Sequence, residues 1–132
     1  MLSDEYLAGV FDAVGAVGIS RTTNQHGNTK HMLTVHMTHK DRALLGKVEE
    51  ECGGSLTPMT GTKWWQWMVA SRKAVTFLQR VHAHTLRRRE EITIALEFAA
   101  TIGPSGRGGT SPERIALRDE YREMLRAKQR AA

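Results

Sequence analysis

An α+β domain in the order α-β-β-α-β-β-α, built on an antiparallel sheet and extended by C-terminal helices, is predicted from three observations in this 132-residue sequence. Apolar residues recur at helical spacing at Leu7, Val10 and Phe11, at Leu44, Leu45 and Val48, and at Ala74, Val75, Leu78 and Val81. Between these stretches lie two segments in which apolar and polar residues alternate around a turn. Further on, "IGPSGRGGTSPE" breaks all periodicity, and helical spacing resumes after it.

The elements follow in order. Ser3 is placed to cap a first helix with Asp4 and Glu5 in its positive first turn, running to about Val14. "AVGISRTTNQ" sets Val17 and Ile19 against Gly18, Ser20 and Thr22. After a turn at His26-Gly27-Asn28, "KHMLTVHMTH" sets Leu33, Val35 and Met37 against Met32, Thr34, His36 and Thr38. Two strands with one apolar and one polar face result. "KDRALLGKVEEECGG" reads as a second helix stopped by Gly53. A second hairpin turns near Gly61, with Trp65, Trp67 and Val69 on one face and Trp64, Gln66 and Met68 on the other; Pro58 makes its first strand an edge or irregular one. Helical period returns from Arg72 and again through Ile92, Leu96 and Phe98. Residues 103–111 are expected to form a flexible loop between a main unit, 1–102, and a basic C-terminal helix, 112–132. Ser111, Pro112 and Glu113 start that helix, and its "RAKQRAA" end is expected to fray. No internal repeat is present, so any two-fold symmetry must come from a second chain.

Hydrophobic residues make up 40% and charged residues 25%, the balance of a globular protein. No apolar run approaches the roughly 20 residues of a membrane helix, and no signal peptide is evident, so a cytoplasmic protein without membrane contact is expected. Cys52, the lone cysteine, cannot form an internal disulfide and reads as a small residue ending a helix. The net charge of +5 points to a polyanion. Between Cys52 and Arg89 there is no Asp or Glu, whereas Lys63, Arg72, Lys73, Arg80, Arg87, Arg88 and Arg89 all fall there. An acid-free stretch of this length favours a phosphate-facing surface over a merely solvated one.

"LAGVFDAVG", Leu7 to Gly15, resembles the motif that names the LAGLIDADG homing endonucleases. "MTHKDRALLGKVEEECGGSL", "WQWMVASRKAVTFLQ" and "LRRREEITIALEF" are similar to family segments in family order, so the resemblance spans roughly Ser3 to Thr101. It implies a symmetric homodimer whose motif helices pack through Ala8, Gly9, Asp12 and Ala13 and whose sheets form a saddle over double-stranded DNA with a near-palindromic site. The alternative is that Ala8 and Gly9 pack within the chain. Under the saddle reading Ser20, Thr22, Asn24, Thr34, His36, Thr38, Trp64, Gln66 and Met68 face the duplex, with Lys63, Arg72, Arg87, Arg88 and Arg89 holding phosphates.

In cutting members of the family the last acid of the motif binds divalent metal, and here that position is Val14. Asp12, two residues earlier, is rotated away by roughly 200° on a helix. His39 and Arg88 match accessory catalytic positions, while the histidine spacings do not make a zinc site. The expected function is therefore a sequence-specific DNA-binding protein that does not cut. Three alternatives stay open: a working endonuclease using Mg2+, an RNA splicing maturase, and a protein-interaction module without nucleic acid.

Overall fold

The computed structural model describes residues 1–102 and 111–131; the loop expected at 103–111 lies outside the described residues except for Ser111. The elements are α1 (Asp4–Val14), β1 (Gly15–Thr23), β2 (Thr29–His39), α2 (Arg42–Cys52), β3 (Ser55–Pro58), β4 (Trp65–Ala70), α3 (Ser71–Val81), α4 (Arg89–Ala100) and α5 (Pro112–Ala131). The strands form one antiparallel sheet in the order β1-β2-β4-β3, which places the Pro58 strand at an edge as its sequence requires.

Local chemistry fixes several of the boundaries. Ser3 accepts the Tyr6 N–H at 3.1 Å, Asp41 caps α2 through the Ala43 and Leu44 N–H groups, and Gly53 ends α2 at φ 75°. Gly15 lets the chain pass from α1 straight into β1. A Cβ there would drive into the Phe11 ring and come within 2.9 Å of the Phe11 carbonyl oxygen.

Every buried strand residue shares one face: Val17, Ile19, Leu33, Val35, Met37, Trp67 and Val69 pack against Leu7, Phe11, Phe77, Leu78 and Phe98 of the helices. Phe77 lies at the centre, 5.5 Å from the Phe11 ring and 5.3 Å from Trp67. Each such aromatic contributes on the order of 1.5–3 kcal/mol by leaving water.

The C-terminal segment differs from the expected fraying tail. Helix α5 is continuous to Ala131 and is tied to the sheet by its own side chains. Arg122 donates to the Ile19 carbonyl at 3.0 Å and Gln129 to the Val17 carbonyl at 2.7 Å, covering the outer edge of β1. Asp119 meets both Arg21 at 3.0 Å and the buried His31 at 2.7 Å. Leu125 completes the core beneath.

Candidate nucleic-acid interface

The helix-free face of the sheet is a set of rows fixed by strand register. From the β1–β2 tip inward these are Thr22 with Lys30; Ser20 with Met32; Gly18 with Thr34 and Ala70; Ala16 with His36, Met68 and Ser55; and Thr38 with Gln66 and Thr57. No Asp or Glu occurs among them. The sequence alternation thus put Ser20, Thr22, Thr34, His36, Thr38, Gln66 and Met68 on one surface correctly, because a strand's period of two is rigid. Lys30, Ser55 and Thr57 were missed. Lys30 follows from extending the β2 alternation two residues back, whereas Ser55 and Thr57 depend on a β3–β4 register that the Pro58 strand does not announce.

Several of the polar residues on or beside this face already have partners. The Ser20 hydroxyl donates to the Met32 carbonyl and the Thr34 hydroxyl to the Gly18 carbonyl, each at 3.3 Å. Asn24 lies in the hairpin turn, where its carboxamide oxygen accepts the His26 and Asn28 N–H groups at 2.8 and 3.0 Å; it shapes the turn instead of projecting an acceptor to a ligand. Among the described residues, His36, Thr38 and Gln66 keep their side-chain polar atoms free of such bonds. Burial, reinforced by the nearby Arg88 guanidinium, holds the His36 imidazole below its ordinary affinity for protons, so the ring is neutral at neutral pH.

Cations rim the face unevenly. Lys63 is exposed in the β3–β4 turn beside Trp64, whose ring carries the Lys40 ammonium 5.3 Å from its centre. Arg72 and Lys73 are exposed where α3 leaves β4, but they line a pocket between α2 and α3 with Glu51 and Cys52, on the helix side. Arg87 is exposed, and Arg89 reaches the Ala83 carbonyl at 3.4 Å. Two arginines of the acid-free stretch turn inward instead. Arg80 donates to Asp4 at 2.8 Å and to the Leu2 carbonyl at 3.0 Å, joining α3 to the chain's start. Arg88 keeps only 15% of its side chain exposed, 3.5 Å from Glu91 and 5.7 Å from the centre of the Phe11 ring. Most of its side chain is thus engaged within the chain, close enough to His36 to act on that ring.

At the inner end of the face, Val14 immediately precedes the Gly15–Met37 pair and packs partly into the core. Both oxygens of Asp12 are engaged: the Thr85 hydroxyl and the Leu86 and Arg87 N–H groups donate to them, fixing the α3–α4 loop. His39 pairs with Trp65 on the helix-side alternation, and its Nδ1 accepts the Asp41 N–H at 2.9 Å at the entry to α2. This arrangement does not fit a divalent ion. Val14 offers no ligand, Asp12 is spent, and among the described residues no three of His, Cys, Asp and Glu come together to hold one.

The α1 residues expected at a helix–helix contact divide. Ala8 is 0% exposed and lies in the chain's own core, so it has no surface left for a partner. Its place in the repeat, one residue before Gly9, puts it on the inward side of the helix. Gly9 and Ala13 are exposed, and a Cβ at Gly9 would meet nothing within 4 Å. Beside them stands Leu86, 93% exposed, its backbone held by Asp12.

No protein-family model matches this sequence, and no curated protein matches it. Solved structures match it by fold. The archaeal intron-encoded homing endonuclease I-Vdi141I, complexed with DNA, aligns with a TM-score of 0.81 at 15% identity over 95% of this chain and 82% of that chain. The homing endonuclease I-CvuI, in complex with its target, gives 0.82 at 12% identity over 95% and 80%. The LAGLIDADG homing endonuclease I-GzeII, in complex with its DNA target, gives 0.73 at 16% identity over 96% of this chain but 44% of that one. The chain therefore has the LAGLIDADG homing endonuclease fold.

Proposed function

We propose that this chain binds double-stranded DNA sequence-specifically as a homodimer and does not cut it. The observation that carries the reading is the open sheet face: acid-free, lined with His36, Thr38, Gln66 and Thr57, and bordered by Lys30 in its outermost row and by Lys63 in the β3–β4 turn. Polar side chains on a strand ribbon suit base edges in the major groove, and the rim suits phosphates. Likeness in fold to endonucleases solved on DNA supports DNA as the partner. A neighbour of which this chain covers only 44% has room for two such units, which supports a pair of chains here. Loss of cutting rests on Val14 and on the three donors that occupy Asp12.

The test is selection from random duplex DNA with magnesium present, sequencing intact bound molecules and cut ends separately. A near-palindromic bound site without cut ends is the expected result. Cut ends at a fixed stagger would overturn the non-cutting half and return the chain to the working endonucleases. Absence of any selected site, or binding that does not weaken as salt rises, would overturn DNA binding itself.

A further inference from the structure

The open face is not polar throughout, and the pattern of its rows is informative. The outermost row offers Thr22 and Lys30, and the innermost offers Thr38, Gln66 and Thr57. Across the three rows between them, the hydroxyl protons of Ser20 and Thr34 are spent on strand carbonyls. What those rows present is Met32, Ala70, Ala16 and Met68, with His36 and, on the edge strand, Ser55 as polar groups at the belt's inner border. Met68 is 39% exposed, a large apolar side chain held on the surface opposite the core.

In the major groove only one base carries an apolar feature, the C5 methyl of thymine, while the other bases show donors and acceptors alone. A thioether side chain without polar demands packs on such a methyl and adapts to its position. Placed against a G·C pair, the same belt would cover donors and acceptors without replacing their water. The belt runs four residues along the strands, from the Ser20 row to the Ala16 row, roughly 13 Å at ~3.3 Å per residue. That length matches about four base pairs at ~3.4 Å each.

Resting on the DNA-binding reading, we infer that the middle of each half-site is read through thymine methyl groups by the Met32–Ala70–Ala16–Met68 belt. Hydrogen-bond readout falls to the positions inside and outside it, with His36 and Ser55 at its inner border. Gln66 in the inner row has the paired donor and acceptor that suit adenine, and Lys30 in the outer row suits the guanine edge. Each half-site therefore has an A·T-rich centre of about four pairs flanked by positions specified by hydrogen bonds.

The experiment replaces thymine by deoxyuridine, one position at a time, in the site recovered by selection. This removes only the C5 methyl and needs no altered protein. Affinity of the full chain is expected to fall about fourfold at each middle thymine, the worth of one buried methyl, and to hold at the inner and outer positions. Met68→Ala, at an exposed position, should make binding indifferent to deoxyuridine at the positions beside it. A selected site with G·C pairs in the middle, or tight binding unmoved by deoxyuridine, overturns the inference while leaving DNA binding intact. Failure to select any site overturns both.

Discussion

Val14, Gly15 and Asp12 show how residues at the end of one helix take up separate duties. Gly15 is required because the Phe11 ring occupies the space of a Cβ, and Asp12 is required because three donors of the following loop depend on it. Val14 answers to neither demand and simply packs. His36, three rows in from the Thr22–Lys30 row at the β1–β2 tip, is the group of the face whose proton affinity is shifted. Burial comes first and the Arg88 guanidinium second in holding its imidazole below the ordinary value of 6.5. Because the folded chain disfavours the proton that the unfolded chain takes up, the stability this group contributes is present above about 6.5 and is lost as pH falls towards the lower folded value. The protonated ring would also attract phosphate, so DNA affinity should rise on acidification only below the ordinary imidazole range. An NMR titration of the His36 ring, assigned with His36→Gln, should give a midpoint below 6.5; a midpoint at or above it would remove the ring from its assigned environment.

Helix α5 shows what an element gains from contacts distant in sequence. Its Asp119 holds a histidine ring whose side chain has 0% exposure and whose Nδ1 has no hydrogen-bond partner among the described residues, so the Nε2 contact at 2.7 Å is the ring's sole polar bond among them. That bond is also the leading reason the Asp119 carboxyl lies below its ordinary range. Asp119→Ala would strand a buried imidazole and release Arg21, a cost of about 1–3 kcal/mol. Chemical denaturation should report that loss, and hydrogen exchange should quicken in α5 and at the β1 edge. Unchanged stability would mean that the other contacts of α5, among them Leu125, Arg118, Arg122 and Gln129, suffice to hold it. The sequence could not disclose this docking: a pairing 88 residues apart leaves no periodic trace. What it did disclose is local. Caps at Ser3 and Ser111, the stop at Gly53, the alternation of β1 and β2 and the edge position of Pro58 all depend on near neighbours. The candidate site was legible for the same reason wherever strand alternation decided it. The sequence did not disclose that Asn24 shapes a turn or that Arg88 pairs with Glu91, since residue type alone suggests a ligand contact, nor that Ala8 is buried, since the motif's small-residue pattern cannot distinguish it from exposed Gly9.

For the molecule as a whole, the question is what covers α1. Its outward side presents Tyr6, Gly9 and Ala13, and the α3–α4 loop adds Leu86 at 93% exposure, rigidly placed because Asp12 holds its N–H at 2.8 Å. A leucine projected from a fixed backbone beside a strip of small residues is unsuited to water and suited to a second copy of the same surface. In the proposed homodimer the contact is isologous, so each interface buries the leucine twice. At about 1.5–3 kcal/mol per leucine, Leu86→Asp should weaken dimerisation by at least about a hundredfold. The substitution leaves the chain's own core untouched, so its thermal unfolding should stay close to that of the parent. Sedimentation at micromolar concentration is expected to show the parent as a dimer and the variant as a monomer. The variant should also lose affinity for a two-half-site duplex while binding an isolated half-site as the parent chain does. A parent that sediments as a monomer, or a variant that remains dimeric, would place the symmetry elsewhere and leave α1 to a different partner.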